Sequence, residues 1–154
     1  MRIVTGALVF DVEDPNTPRI LLLQRSANDS MHNQWEFPGG GCDDEDESIL
    51  HAVARELWEE SGLQANHISG PVGDPHFFTS RSGAKIWKFS FAVQAKTPPE
   101  GRLMARLDPT KHQRFVWASL AEVMAKKVAN IELDFTTLEL VATILQAFDH
   151  LEHK

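Results

Sequence analysis

Glu56, Glu59 and Glu60 are spaced three and four residues apart, which on a helix gathers their carboxylates into an arc of roughly 100°. Anions so crowded repel one another, by about 0.2–0.5 kcal/mol for an i, i+4 pair. They must therefore either spread into water or meet a counter-charge. A solvated acidic face is the ordinary reading of Glu-x-x-Glu-Glu. Two features weigh against it. The apolar stripe Ile49, Val53, Leu57 overlaps the carboxylate arc, and Glu60 projects between the directions of Ile49 and Val53, so the acids run along the edge of the buried face. The preceding Gly39-Gly40-Gly41 also lets backbone carbonyls approach a shared point. A hard divalent cation, which takes oxygen ligands, would supply the missing charge. Arg55 either pairs with Glu59 one turn on or reaches back to Glu47, holding an acid in position. The plainer alternative is a surface ion pair worth about 0.3–0.5 kcal/mol.

The elements that must position these groups follow from periodicity and turn residues. Residues 2–12 are expected as a strand ending at a polar turn, and 19–25 as a buried strand with charged ends. Residues 26–46 form a long connection, of the length that usually carries function. A helix is expected from about Asp46 to Ser61, capped by Asp44 or Asp46 and terminated by Gly62. Strand-like stretches near 67–79 and 85–95 flank a turn at Ser80–Gly83, and a further strand spans 113–118. Ser119 begins a short helix to about Lys126, with Glu122 at the capping-box position. The last helix, about 136–151, repeats Leu138, Val141, Ile144, Leu145 and Phe148 at helical spacing. The order of strands and helices predicts an α/β (α+β) fold with a mixed sheet between helices.

The 154 residues suit one domain, expected over 1–154, and 42% hydrophobic with 24% charged content fits a water-soluble chain. No apolar run reaches membrane-span length, and the N-terminus lacks a signal-peptide layout. Cys42 is the one cysteine, so a reducing, cytoplasmic setting is expected. The formal net charge is −7. Residues 42–60 hold eight acids against Arg55 alone, while the remaining chain balances 14 acids with 14 bases. That acidity argues against polymeric nucleic acid as a partner.

The residues Gly41, Glu47, Arg55-Glu56-Leu57, Glu59-Glu60 and Gly62-Leu63 resemble the complete box of the Nudix hydrolase superfamily, here 41–63. All nine fixed positions match Gly-x5-Glu-x7-Arg-Glu-U-x-Glu-Glu-x-Gly-U, where U is a bulky aliphatic residue. The resemblance implies a Nudix-type α/β/α sandwich and cleavage of a diphosphate bond with Mg²⁺ or Mn²⁺. It also implies Glu56, Glu59 and Glu60 as metal ligands, joined by the carbonyl of Gly40 or Gly41. Glu59 or Glu60 would double as helper in activating the water. An acidic protein cannot hold a diphosphate unaided, and a metal bridge reverses the local sign.

A second stretch, Gln24-Arg25-Ser26-Ala27 with Met31 to Gly40, resembles the MutT-type nucleoside triphosphate pyrophosphohydrolases. The likeness makes Arg25 a phosphate contact, Glu36 and Phe37 part of the nucleotide pocket, and Asn130 a base-reading residue. Phe37, Phe77, Phe78 and Trp87 are candidates to stack a base, against core packing as the alternative. Two departures stand out. The loop is one residue longer than usual, and Lys111 stands where relatives carry an extra Glu, leaving Glu100 or His112 to replace it. The expected partner is a small nucleotide or diphosphate, with no polymeric nucleic acid and no membrane, and the protein a monomer or homodimer. ADP-ribose or a dinucleoside polyphosphate as substrate, and a non-catalytic nucleotide sensor, are the competing readings.

Overall fold

The long first strand does the organising. A computed structural model describes residues 2–152, which run β1 (Arg2–Asp11), β2 (Arg19–Arg25), β3 (Trp35–Glu36), β4 (Gly39–Gly41), α1 (Ile49–Ser61), β5 (Ala65–Pro71), β6 (His76–Thr79), β7 (Lys85–Ala95), β8 (His112–Ser119), α2 (Leu120–Ala125), β9 (Lys127–Val128), β10 (Ile131–Glu132) and α3 (Leu138–Glu152). β7 lies parallel to β1 along Arg2–Val9. The opposite edge of β1 is divided. β4 takes Val4–Gly6 and β2 takes Phe10 and Asp11, both antiparallel. β2 continues the sheet to β8 along its whole length and to β3 at Leu23 and Gln24. On the far side, β7 carries β5 and β6.

Strand residues alternate between two cores. Ala7, Val9, Leu21, Leu23, Phe91 and Val93 pack under Val53 and Leu57 of α1. Leu8, Phe10, Ile20, Leu22 and Val116 pack against Val123 of α2 and Ile144, Ala147 and Phe148 of α3. Both faces of the central strands are therefore buried, which is why β1 and β2 read as near-continuous apolar runs rather than alternating ones. The result is the expected mixed sheet between helices. Among the described residues no helix is long and apolar enough to cross a membrane.

The differences from expectation are local. α1 begins at Ile49, not near Asp46, because Ser48 is its N-cap and its Oγ accepts the His51 N–H at 3.3 Å. Asp46 cannot cap, since its carboxylate is engaged by Arg55 and by the Asp43 N–H. Gly62 ends the helix as expected, at φ 70°, where a side chain would be strained. The stretch 67–79 resolves into β5 and β6. Ser119 and Glu122 form the reciprocal capping box. The hairpin of β9 and β10 was not legible, since two-residue strands carry no period.

Candidate metal and polyphosphate cleft

The forked edge of β1 sets the glycine strand β4 against α1. Glu60 is buried, only 7% exposed, and its Oε1 accepts the Gly39 N–H at 2.8 Å. Burial pushes its carboxyl up to about 7, and the charges of Glu36 and Glu56 push the same way, against the Gly39 bond and the attraction of His112. Burial also raises Glu56. A Cβ at Gly40 would collide with the Glu56 carboxyl, so any larger residue there would push that acid out of its present position. The Gly40 carbonyl accepts the Thr5 hydroxyl at 3.2 Å, and the Gly41 carbonyl accepts Arg55 Nη2 at 2.9 Å.

Arg55 ties these parts together. Its Nε and Nη2 both donate to Asp46 at 2.9 Å, and its Nη1 donates to Glu56 at 3.0 Å and to Glu59 at 3.2 Å. The Arg55 bond holds the Asp46 carboxyl at about 2, well below the usual range. Of the two pairings expected for Arg55, the Glu59 one forms. The other does not: Glu47 is exposed beside His51 at 3.5 Å, and Asp46 receives the arginine in its stead. Glu56 and Glu60 line the cleft; Glu59 is not among its walls and stands outside, on Arg55.

The facing wall comes from β2, β3, β7 and β8. Arg25 is clamped by Asp29, with bonds of 2.9 and 2.8 Å, and donates to Glu36 at 3.0 Å. The other Glu36 oxygen meets His112 Nε2 at 2.9 Å. Burial opposes charge on Glu36, yet the His112 bond and Arg25 hold its carboxyl below the usual value. His112 is 2% exposed, and its Nδ1 is buried without a partner. Lys88 sits with Nζ 4.6 Å from the centre of the Phe37 ring, and burial lowers its pKa. Arg2 and Lys111 complete the wall. Beside the cleft opens a slot of about 320 Å³, at the small end of ligand pockets, which run to roughly 300–1,000 Å³. Phe78, Ser90, Thr136 and Thr137 line it, and Glu36, Phe37, Phe78 and Lys88 border both spaces.

The structure thus brings together Arg25, Glu36, Phe37, Gly40, Glu56, Glu60 and Phe78, with Arg55 and Glu59 behind them. It does not bring in Glu100, which is exposed in the turn ending at Gly101, or Asn130, exposed in the turn between β9 and β10. The carboxylate that stands with Glu56 and Glu60 is Glu36. Phe77 and Trp87 pair with each other at 5.0 Å and border neither space. Arg2 and Lys111 carried no readable signal, whereas Lys88 did, as a lone cation in the middle of the apolar β7 run Ile86–Phe91.

Among the described residues no three acids, histidines or cysteines already stand as a closed metal cage. The donor chemistry nevertheless fits a hard cation. Two carboxylates share the cleft, Glu56 packed against Gly40 where a Cβ would push it away and Glu60 bonded to the Gly39 N–H, and oxygen ligands are what Mg²⁺ and Mn²⁺ take. Glu56, Glu60 and the neighbouring glycine carbonyls would hold it. Cys42 is a poor candidate, since burial and the nearby Asp46 raise its thiol.

A sheet layered between helices has one cleft in which the carboxylates of an acidic helix meet cations from β1, β2, β7 and the loop before β8. The chain belongs to the Nudix family, whose NUDIX domain model matches residues 2–138. It is 31% identical to the CTP pyrophosphohydrolase of Escherichia coli over 117 residues, 75% of this chain and 77% of that one. It is 54% identical to the RNA pyrophosphohydrolase of Psychrobacter sp. over 37 residues, 24% of this chain, so the match spans only 21% of that relative. The NUDIX domain of Shewanella oneidensis NrtR, solved with ADP ribose, superposes with a TM-score of 0.72 at 22% identity, covering 97% of this chain and 87% of that one.

Proposed function

We propose that the protein hydrolyses a diphosphate bond of a nucleoside triphosphate, oxidised purine nucleotides included, to a nucleoside monophosphate and pyrophosphate, using Mg²⁺ or Mn²⁺. The observation that carries this reading is the junction of two spaces: a slot with an aromatic wall for a base, opening into a cleft of carboxylates and cations for a phosphate chain. Its similarity to a CTP pyrophosphohydrolase over three-quarters of the chain supports the same reading. The reaction would take place in the cytoplasm, on a small nucleotide rather than a nucleic-acid polymer.

When bound, the cation neutralises the phosphates and makes water a better nucleophile. The chain's own groups do the rest. Arg55 braces Glu56 and Glu59 from behind. Glu60, which lies in the cleft with one oxygen held by the Gly39 N–H, would take the proton of the attacking water as the new P–O bond forms and the anhydride P–O bond breaks. Arg2 and Lys111 line the cleft where the departing pyrophosphate would lie. Incubation with Mg²⁺ and a panel of nucleoside triphosphates, oxidised nucleotides, ADP-ribose and dinucleoside polyphosphates, followed by chromatography, tests the reading. Monophosphate and pyrophosphate from a triphosphate are expected. Turnover confined to ADP-ribose would overturn it, and binding without turnover of any member would favour a sensor.

A further inference from the structure

Lys88 is the one basic residue among the four that border both spaces, the others being Glu36, Phe37 and Phe78. A nucleotide seated with its base in the slot and its phosphates in the cleft must pass its sugar and first phosphate through that junction. The other cations are placed or committed elsewhere. Arg25 is clamped by Asp29 and Glu36, and Arg2 and Lys111 line the cleft alone. Glu36, the acid of the junction, already has both oxygens engaged, by Arg25 and by His112. Among the described residues the Lys88 ammonium makes no ion pair or hydrogen bond, and its close neighbour is the Phe37 ring. Glu36 and Glu60 attract its charge from nearby, but neither bonds it, so the half-buried ammonium keeps its donors open to a ligand at the junction.

We infer that Lys88 is the specificity-determining cation of the site, its ammonium binding the sugar-proximal phosphate of a nucleotide and so admitting nucleotides in preference to nucleosides. This rests on the nucleotide reading above but not on which anhydride bond is cut. Cleavage of a triphosphate or of ADP-ribose would leave the same sugar-proximal phosphate on a monophosphate.

The test compares wild type with Lys88→Met, which keeps length and removes charge. Calorimetry measures binding of the four nucleoside 5′-monophosphates and their parent nucleosides with Mg²⁺ present, and a thermal melt reads stability. The substitution should weaken monophosphate binding by about tenfold or more, the scale of one charge-assisted hydrogen bond. It should leave nucleoside binding unchanged, and the melt should show the variant folded. Unchanged monophosphate binding, equal loss for nucleosides, or no monophosphate binding by wild type would each overturn the assignment. Failure of the wild type to cleave triphosphates, with the binding difference intact, would overturn only the proposed reaction.

Discussion

Glu60 concentrates the chemistry at the residue scale. Its carboxyl is raised from the ordinary 4.5 to about 7 by burial, so the folded metal-free protein retains a proton that the unfolded chain gives up. Its contribution to stability is complete below about 4.5 and disappears as pH rises through about 7. In EDTA, thermal melts from pH 4.5 to 7.5 should therefore show a steeper decline for wild type than for Glu60→Gln. With metal the linkage appears as competition, because a cation must displace that proton. Calorimetry should find Mg²⁺ affinity falling as pH drops below about 7, with the fall blunted in Glu60→Gln. The glutamine still accepts the Gly39 N–H, so the fold should survive while turnover drops by about 10²–10⁴-fold. Glu59→Gln should cost less, since Glu59 stands outside the cleft on Arg55. The carboxylates were legible from spacing alone. Glu59 and Glu60 could not be ranked that way, because the difference lies in what β4 covers.

At the scale of the element, α1 and β4 form one device. Ser48 holds the helix start that the glutamates depend on for their angle. Ser48→Ala should cost about 1 kcal/mol in urea denaturation and leave Mg²⁺ affinity nearly unchanged, as the cap lies two turns from Glu56. Gly40→Ala should do the reverse. Its Cβ meets the Glu56 carboxyl, so metal affinity and turnover should fall sharply, as calorimetry and steady-state rates would register. The helix itself was readable from its stripe and from Gly62. Its first turn was misread because Asp46 looks like a cap until Arg55 is seen to claim it. Asn130 stands exposed in the turn between β9 and β10 and does not line the slot, and that hairpin is too short to leave a pattern in the sequence.

For the molecule as a whole, the charge of −7 takes on a geometry. The acids that carry it crowd into residues 42–60 and were conspicuous there. The cations that face them, Arg2, Arg25, Lys88 and Lys111, come from four separate strands or loops, and only folding makes them neighbours. Binding of Mg²⁺ to the folded form alone should raise the melting temperature in proportion to the logarithm of metal concentration, adding about 2.7 kcal/mol at a hundred times the dissociation constant. A Glu56→Gln, Glu60→Gln double variant should show no such rise in a scanning calorimeter.

The parallel pairing of β1 with β7 also sets an order of events during synthesis. Arg2 finds its partner at Ile86 and Val9 at Val93, so the first strand waits for more than half the chain to be made. The Nudix box is finished at Leu63, well before Lys88 and the strand that carries it have left the ribosome. Until then β1 lacks one of its two edges, the glycine strand has no settled bed, and the box is a run of unbalanced acids. Affinity for the metal should thus arrive late and abruptly on the nascent chain, together with the cation that completes the junction.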